Sequence, residues 1–173
     1  MRVSNFLVMV LSAGLFCAGC ANYRVGSGVP ADKRTISVSE FENESGFPEI
    51  DSIITQYTLR ELQREGTFKL AKPGEAALKI YGRVTRSHAE GIHYDRNYNA
   101  RASEYRHTLT VRFSLWDTET GKMLIDDQPV KVNTTFMTRG DMLTGLQDSM
   151  PRLAKDAART IVDTVLAQWS TDK

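Results

Sequence analysis

Cys20 is the residue with the plainest chemistry. It closes the run Cys17-Ala18-Gly19-Cys20, which follows Met1-Arg2 and an uncharged apolar stretch from Phe6 to Cys17. That stretch is too short for a membrane span of roughly 20 residues and suits the apolar core of a signal peptide. Small side chains before a cysteine are what lipoprotein signal peptidase needs, and the thiol is what receives the diacylglycerol. Cys17 departs from the pattern, since it stands where Leu is usual; the alternative is an ordinary secretory signal cut near Gly19. On the lipoprotein reading residues 1–19 are a signal peptide, Cys20 is acylated with palmitate-type chains, and the mature chain keeps neither a free thiol nor a disulfide, which removes cysteine chemistry. Two acyl chains, with a third usual on the amino group, hold a protein stably on its membrane. Ala21 stands where enterobacterial lipoproteins retained at the inner membrane carry Asp, so the expected address is the periplasmic face of the outer membrane.

A second group is His88, His93, Asp95, Glu104 and His107. These are metal-ligating types, but they lack the i, i+4 helical or Cys-x-x-Cys spacing that makes such a reading strong. His107 falls on an inward strand position, where a hydrogen-bonded core histidine is the ordinary explanation, and no metal is expected. The mature chain has no Gly-x-Ser-x-Gly elbow and no glycine-rich phosphate loop before a helix, so the reading is of a protein without catalysis or cofactor. With 22 basic against 21 acidic residues and a net charge of +1, no overall field draws it to nucleic acid. The remaining signal is a row of cations: Lys69, Lys79, Arg83, Arg106, Arg112 and Lys131 occupy outward positions of segments that read as strands, with no acid at the corresponding positions. Such a face is either a solvated sheet surface or a surface that recognises anions, with Lys79, Arg83, Arg106, Arg112 and Lys131 as ligand-binding residues.

The elements that must position these residues follow from periodicity. At 41% hydrophobic and 25% charged, the chain reads as one globular domain. Residues 20–33, with Gly26, Ser27, Gly28 and Pro30, have no hydrophobic period and read as a tether. The domain is expected over 34–169, with a tail at 170–173. Thr35 to Phe41 reads as a strand. Pro48, Glu49 and Asp51 suit a helix start and Gly66 its end; Ile50, Ile53, Ile54 and Tyr57 mark its apolar face, with Leu59 on the opposite side. Phe68 and Leu70 mark a second strand, and Leu78, Ile80, Gly82 and Val84 alternate in a third. Ser87 to Ser103 reads as a polar loop. The clearest strand turns Tyr105, His107, Leu109, Val111, Phe113 and Leu115 to one side. A turn around Gly121 leads to a fifth segment carrying Val130, Val132, Thr134 and Phe136. Asp141 to Trp169 is a helix with one apolar face, which Pro151 either kinks or starts. The fold class is then α+β: a two-layer sandwich with two helices on one face of a mixed, mostly antiparallel sheet of about four to five strands.

Cys20 with Tyr23-Arg24, Pro30, Ile36-Ser37-Val38, Phe41-Glu42-Asn43, the helix ending at Leu62 and Gly66, Gly82-Arg83-Val84, Glu104-Tyr105, the Gly121 hairpin and Trp169 stand in an order that resembles the lipopolysaccharide-assembly lipoprotein family, LptE. The resemblance covers nearly the whole mature chain. It implies an outer-membrane protein that plugs the β-barrel translocon LptD from the periplasmic side, assists its assembly and contacts lipopolysaccharide in transit. It also implies two helices against a mixed sheet. Val38-Ser39-Glu40-Phe41-Glu42-Asn43-Glu44-Ser45-Gly46, followed by a helix and Gly66-Thr67-Phe68-Lys69-Leu70, is similar as well to the opening βαβ unit of the CsgG and LpoB groups. Those are secretion-channel subunits or activators of peptidoglycan synthases, and this second likeness fades after about residue 71.

Overall fold

Residues 107–115 alternate inward and outward side chains, and in the computed structural model they form the middle of a strand whose inward side chains are almost wholly excluded from solvent. The structure describes residues 28–94, 102–138 and 141–170. In chain order the elements are β1 (Thr35–Val38), β2 (Glu42–Asn43), α1 (Ile50–Glu65), β3 (Lys69–Leu70), β4 (Leu78–Tyr94), β5 (Ala102–Asp117), β6 (Lys122–Met137) and α2 (Met142–Ala167). The sheet order is β3-β1-β4-β5-β6, with β2 also paired to β4. β1 runs parallel to β3 and β4, and β2 parallel to β4. The three long strands are antiparallel. The class is the expected one, with six strands among the described residues rather than four to five; β2 is the extra strand, and it lies past the Phe41 end of the first strand read from the sequence.

Both helices cover the same face, α2 on β5 and β6 and α1 over the β1–β3 side, and they pack on each other. Their apolar stripes meet the inward strand residues in one continuous core that includes Ile50, Ile54, Leu62, Leu78, Ile80, Val84, Val111, Phe113, Leu153, Ile161 and Val165. Gly82 is needed there: a Cβ would stand 2.4 Å from the Arg112 carbonyl oxygen and 2.7 Å from the Phe41 ring. The missing side chain thus makes room for Phe41, 2% exposed, to cross the sheet at that point.

The helix ends follow the sequence closely. Gly66 takes the left-handed conformation (φ 83°) and donates its N–H to the Leu62 carbonyl, the glycine stop of a helix C-terminus. Asp141 accepts hydrogen bonds from the Leu143 and Thr144 backbone N–H groups, a cap worth about 1 kcal/mol. Pro151 lies inside α2 and does not start it. The helix tolerates it because Pro151 is on the exposed side, where the carbonyl its missing N–H leaves free can meet water.

Two expectations are corrected, and one strand is longer than its apolar residues mark it. Ser87 to Ser103 is not one loop, because β4 continues to Tyr94 and β5 begins at Ala102. β6 begins directly after the Gly121 turn, at Lys122. The tether does not run to residue 33: Val29 is 2% exposed, Ala31–Lys33 forms a 3-10 turn, and Lys33 pairs with Asp117 and Glu119. Burial of Val29 and this ion pair tie the segment from Gly28 onward to the domain. The signal peptide, Cys20 and Asp95 lie outside the described residues.

Candidate functional site: the outer face of the long hairpins

The face of β4, β5 and β6 turned away from the helices carries the cations that alternation places there. In the register Arg83 lies directly opposite Arg112. Like charges facing across two strands repel, and the structure places a carboxylate between them. Asp127 in β6 has a positive φ of 46°, a bulge-like kink whose N–H donates to Ser114 Oγ at 2.9 Å. Its carboxylate lies 3.0 Å from Arg83 Nη2 and 2.7 Å from Arg112 Nη2. Arg83 also approaches Glu44 at 3.6 Å, and Arg106 pairs with Glu90 across the β4–β5 ladder at 3.3 Å. The face is therefore not of one sign: all three arginines expected to bind anions are held by acids. Glu90 falls in the stretch that reads as a polar loop, and Asp127 precedes Val130, the first apolar residue that marks the fifth segment.

Between the paired groups lies an open hollow of about 300 Å³ lined by Arg86, His88, Glu90, Thr108, Thr110 and Lys131. A bulge creates it. The ladder shifts register between Val84 and Arg86, so that Val84 faces Val111 while Arg86 faces Thr110. This turns Arg86 and His88 onto the outer face, where strict alternation would have put Thr85 and Ser87. Lys131 faces Thr110 from the other side, so Arg86 and Lys131 flank one threonine at two strand spacings, roughly 9–10 Å backbone to backbone. Among the described residues neither Arg86 nor Lys131 makes an ion pair. Two cations, one imidazole and two hydroxyls in the hollow can donate to anionic oxygens without first breaking a salt bridge of Arg86 or Lys131, and the lining carboxylate of Glu90 is held by Arg106. Of the other expected residues, Lys79 is opposite Trp116 near the start of β4, and Lys69 is on the far edge strand; neither reaches the hollow.

Beneath the distal half, His107 is fully buried. Its Nε2 lies 2.9 Å from Ser87 Oγ and its Nδ1 2.7 Å from Ser149 Oγ. Ser149 donates its own hydroxyl proton to the Leu146 carbonyl and so accepts from Nδ1–H, which leaves Nε2 to accept from Ser87. The neutral imidazole is thereby fully bonded. Its pKa is pushed down, first by burial and second by the charge of His88. His107 and His88 belong to opposite faces of the sheet, and among the described residues no three His, Cys, Asp or Glu side chains are grouped to hold a metal ion. No helix among the described residues is long and apolar enough to cross a membrane.

The comparisons with known proteins agree with this architecture. Residues 34–168 match the family model described as LptE, lipopolysaccharide-assembly. Among solved structures, protein CT253 from Chlamydia trachomatis superposes with a TM-score of 0.60 at 9% identity, over 81% of this chain and 99% of that one. Protein XCC0632 from Xanthomonas campestris superposes with a TM-score of 0.55 at 10% identity, over 83% and 92%. At such identities the likeness is one of fold. No curated protein matches the sequence.

Proposed function

Since the chain belongs to the LptE lipopolysaccharide-assembly family, we propose that it is an outer-membrane lipoprotein, acylated at Cys20, that works with an LptD-like β-barrel and binds lipopolysaccharide on the outer face of its long hairpins. The observation that carries the binding reading is the hollow, where Arg86 and Lys131 stand without an ion-pair partner among the described residues on a rigid sheet beside His88, and the one acid of the lining, Glu90, is held by Arg106. Lipopolysaccharide presents clustered phosphates, and a guanidinium can hold such a group by paired charge-assisted hydrogen bonds. Arg83, Arg112 and Arg106 border the hollow and contribute once a ligand competes with Asp127 and Glu90 for them. Lys79 lies further along the same face.

The test is the double variant Arg86→Gln/Lys131→Gln. It should melt within about 0.5 kcal/mol of wild type, as exposed substitutions away from special features do, while binding lipopolysaccharide roughly ten-fold more weakly, a loss of about 1.4 kcal/mol. Equal binding by the folded variant would reduce the hollow to a solvated surface. Palmitate labelling that disappears in Cys20→Ala tests the anchor. Purification of the intact lipoprotein from membranes tests the partner: recovery of a large β-barrel supports the reading, and recovery of a peptidoglycan synthase in its place refutes it.

A further inference from the structure

On the opposite side of the molecule the two helices leave an open groove of about 530 Å³. Arg60 and Arg64 of α1 and Lys155 and Arg159 of α2 rim it, against two acids, Glu61 and Asp156. The acids do not cancel the cations evenly. Glu61 is only 8% exposed, and both its oxygens are taken by the Arg64 guanidinium. That hydrogen bond, more than any other cause, holds the Glu61 carboxyl below its ordinary range. Arg60 lies over the Tyr57 ring, 5.4 Å from its centroid. Among the described residues Arg60, Lys155 and Arg159 make no ion pair, so the groove presents cations outward and keeps its deepest carboxylate occupied.

The groove is also close to where the chain enters the domain. Gly28 lies against the Trp169 carbonyl at the end of α2, and the Phe68 ring, just past the end of α1, packs 6.1 Å from the Trp169 ring. At 1.5 Å per helical residue, Arg159 is roughly 15 Å along the axis from Trp169. Eight peptide steps separate Cys20 from Gly28, and they can span at most about 26–29 Å. An anchor at Cys20 therefore keeps this end of the helix layer within reach of the lipid headgroups.

We propose that, in the free lipoprotein before it joins a barrel, the groove between α1 and α2 rests on the anionic phospholipid headgroups of the membrane that holds the anchor, laying the helix layer on the bilayer surface and turning the hollow of the sheet away from it. This rests on the reading of Cys20 as acylated. The intact lipoprotein, reconstituted in vesicles of phosphatidylcholine alone or with 30% phosphatidylglycerol, separates the two claims. It should float with both, and amide exchange over 57–66 and 152–163 should slow by roughly five-fold or more only with phosphatidylglycerol, as contact of even one basic residue with an anionic surface predicts. Added salt at 0.5 M should remove that difference by screening, as should Arg60→Gln/Arg159→Gln. Flotation with both vesicles and equal exchange in each overturns the groove proposal and leaves the anchor standing. Slowed exchange on the sheet's outer face in place of the helices overturns it too. Failure to float with either vesicle removes the anchor and the proposal with it.

Discussion

The two halves of the long hairpins differ in what lies on both sides of the sheet. Near the Gly121 turn the inward side is dry, built from Leu78, Ile80, Phe113 and Leu115, and the outer arginines Arg83 and Arg112 are locked by Asp127. Past the bulge at Thr85 the inward side carries His107 with its two serine hydroxyls, and the outer cations Arg86 and Lys131 are free. Charge neutralisation and apolar packing thus go together in one half, while the other holds a fully bonded histidine inside and, beside the Arg106–Glu90 pair, two cations outside that are unpaired among the described residues. The proximal half pairs its outer charges with one another, and the distal half leaves Arg86 and Lys131 unpaired.

Breaking the proximal half should have the largest effect. Phe113 is 1% exposed, and Phe113→Ala should cost about 3–5 kcal/mol, measured by denaturant unfolding, with the same loss at pH 5.5 and pH 7.5. A loss that varied strongly with pH would mean that the two halves are not energetically separate.

The distal half should instead show itself through pH. Because the folded state holds the His107 pKa below its ordinary value of about 6.5, the unfolded chain binds more protons than the native one as the pH falls through that value. Stability present above it is then lost on acidification. Wild type should lose unfolding free energy between pH 7.5 and pH 5.5, whereas His107→Gln should be less stable at pH 7.5 and nearly flat over that interval. The carboxyls held below their ordinary range, Asp117, Glu61 and Asp141, act only at lower pH. A variant as pH-dependent as wild type would remove His107 from the account.

The smallest effect is expected at the boundary. Asp127→Asn releases Arg83 and Arg112, pairs that are partly exposed and worth about 0–1 kcal/mol in stability. The variant should melt nearly as wild type does but bind lipopolysaccharide more tightly, by extending the free cationic surface toward the turn. Unchanged binding would confine the site to the hollow.

Sequence periodicity found the elements wherever one face is dry and the other wet. Leu109, Val111, Phe113 and Leu115 against Thr110 and Arg112 could be read in only one way. It missed Ser87 to Tyr94 and Ala102 to Glu104, because the projecting ends of the hairpin are polar on both faces and carry no alternation. The bulge was hidden for another reason: Thr85 is an ordinary strand residue, and the slip of one position is a backbone event with no composition of its own. That slip moved Arg86 and His88 into the candidate site. Outward placement of Lys79, Arg83, Arg106, Arg112 and Lys131 followed from alternation, but their partners did not, since Glu90 lies in a stretch without alternation and Asp127 lies before Val130, where the fifth segment's alternation starts.

The way the chain enters the domain has a mechanical side. Residues 28–33 are fixed by the Val29 contact and the Lys33 ion pairs, and they feed straight into β1, which lies between two strands running in its own direction. Tension arriving through the residues before Gly28 must first strip that clasp. It then acts along the axis of β1, so that the hydrogen bonds to both neighbours share the load in shear and are not unzipped one after another. A pull on the N-terminal side of the domain is thus met at the joint best able to bear it.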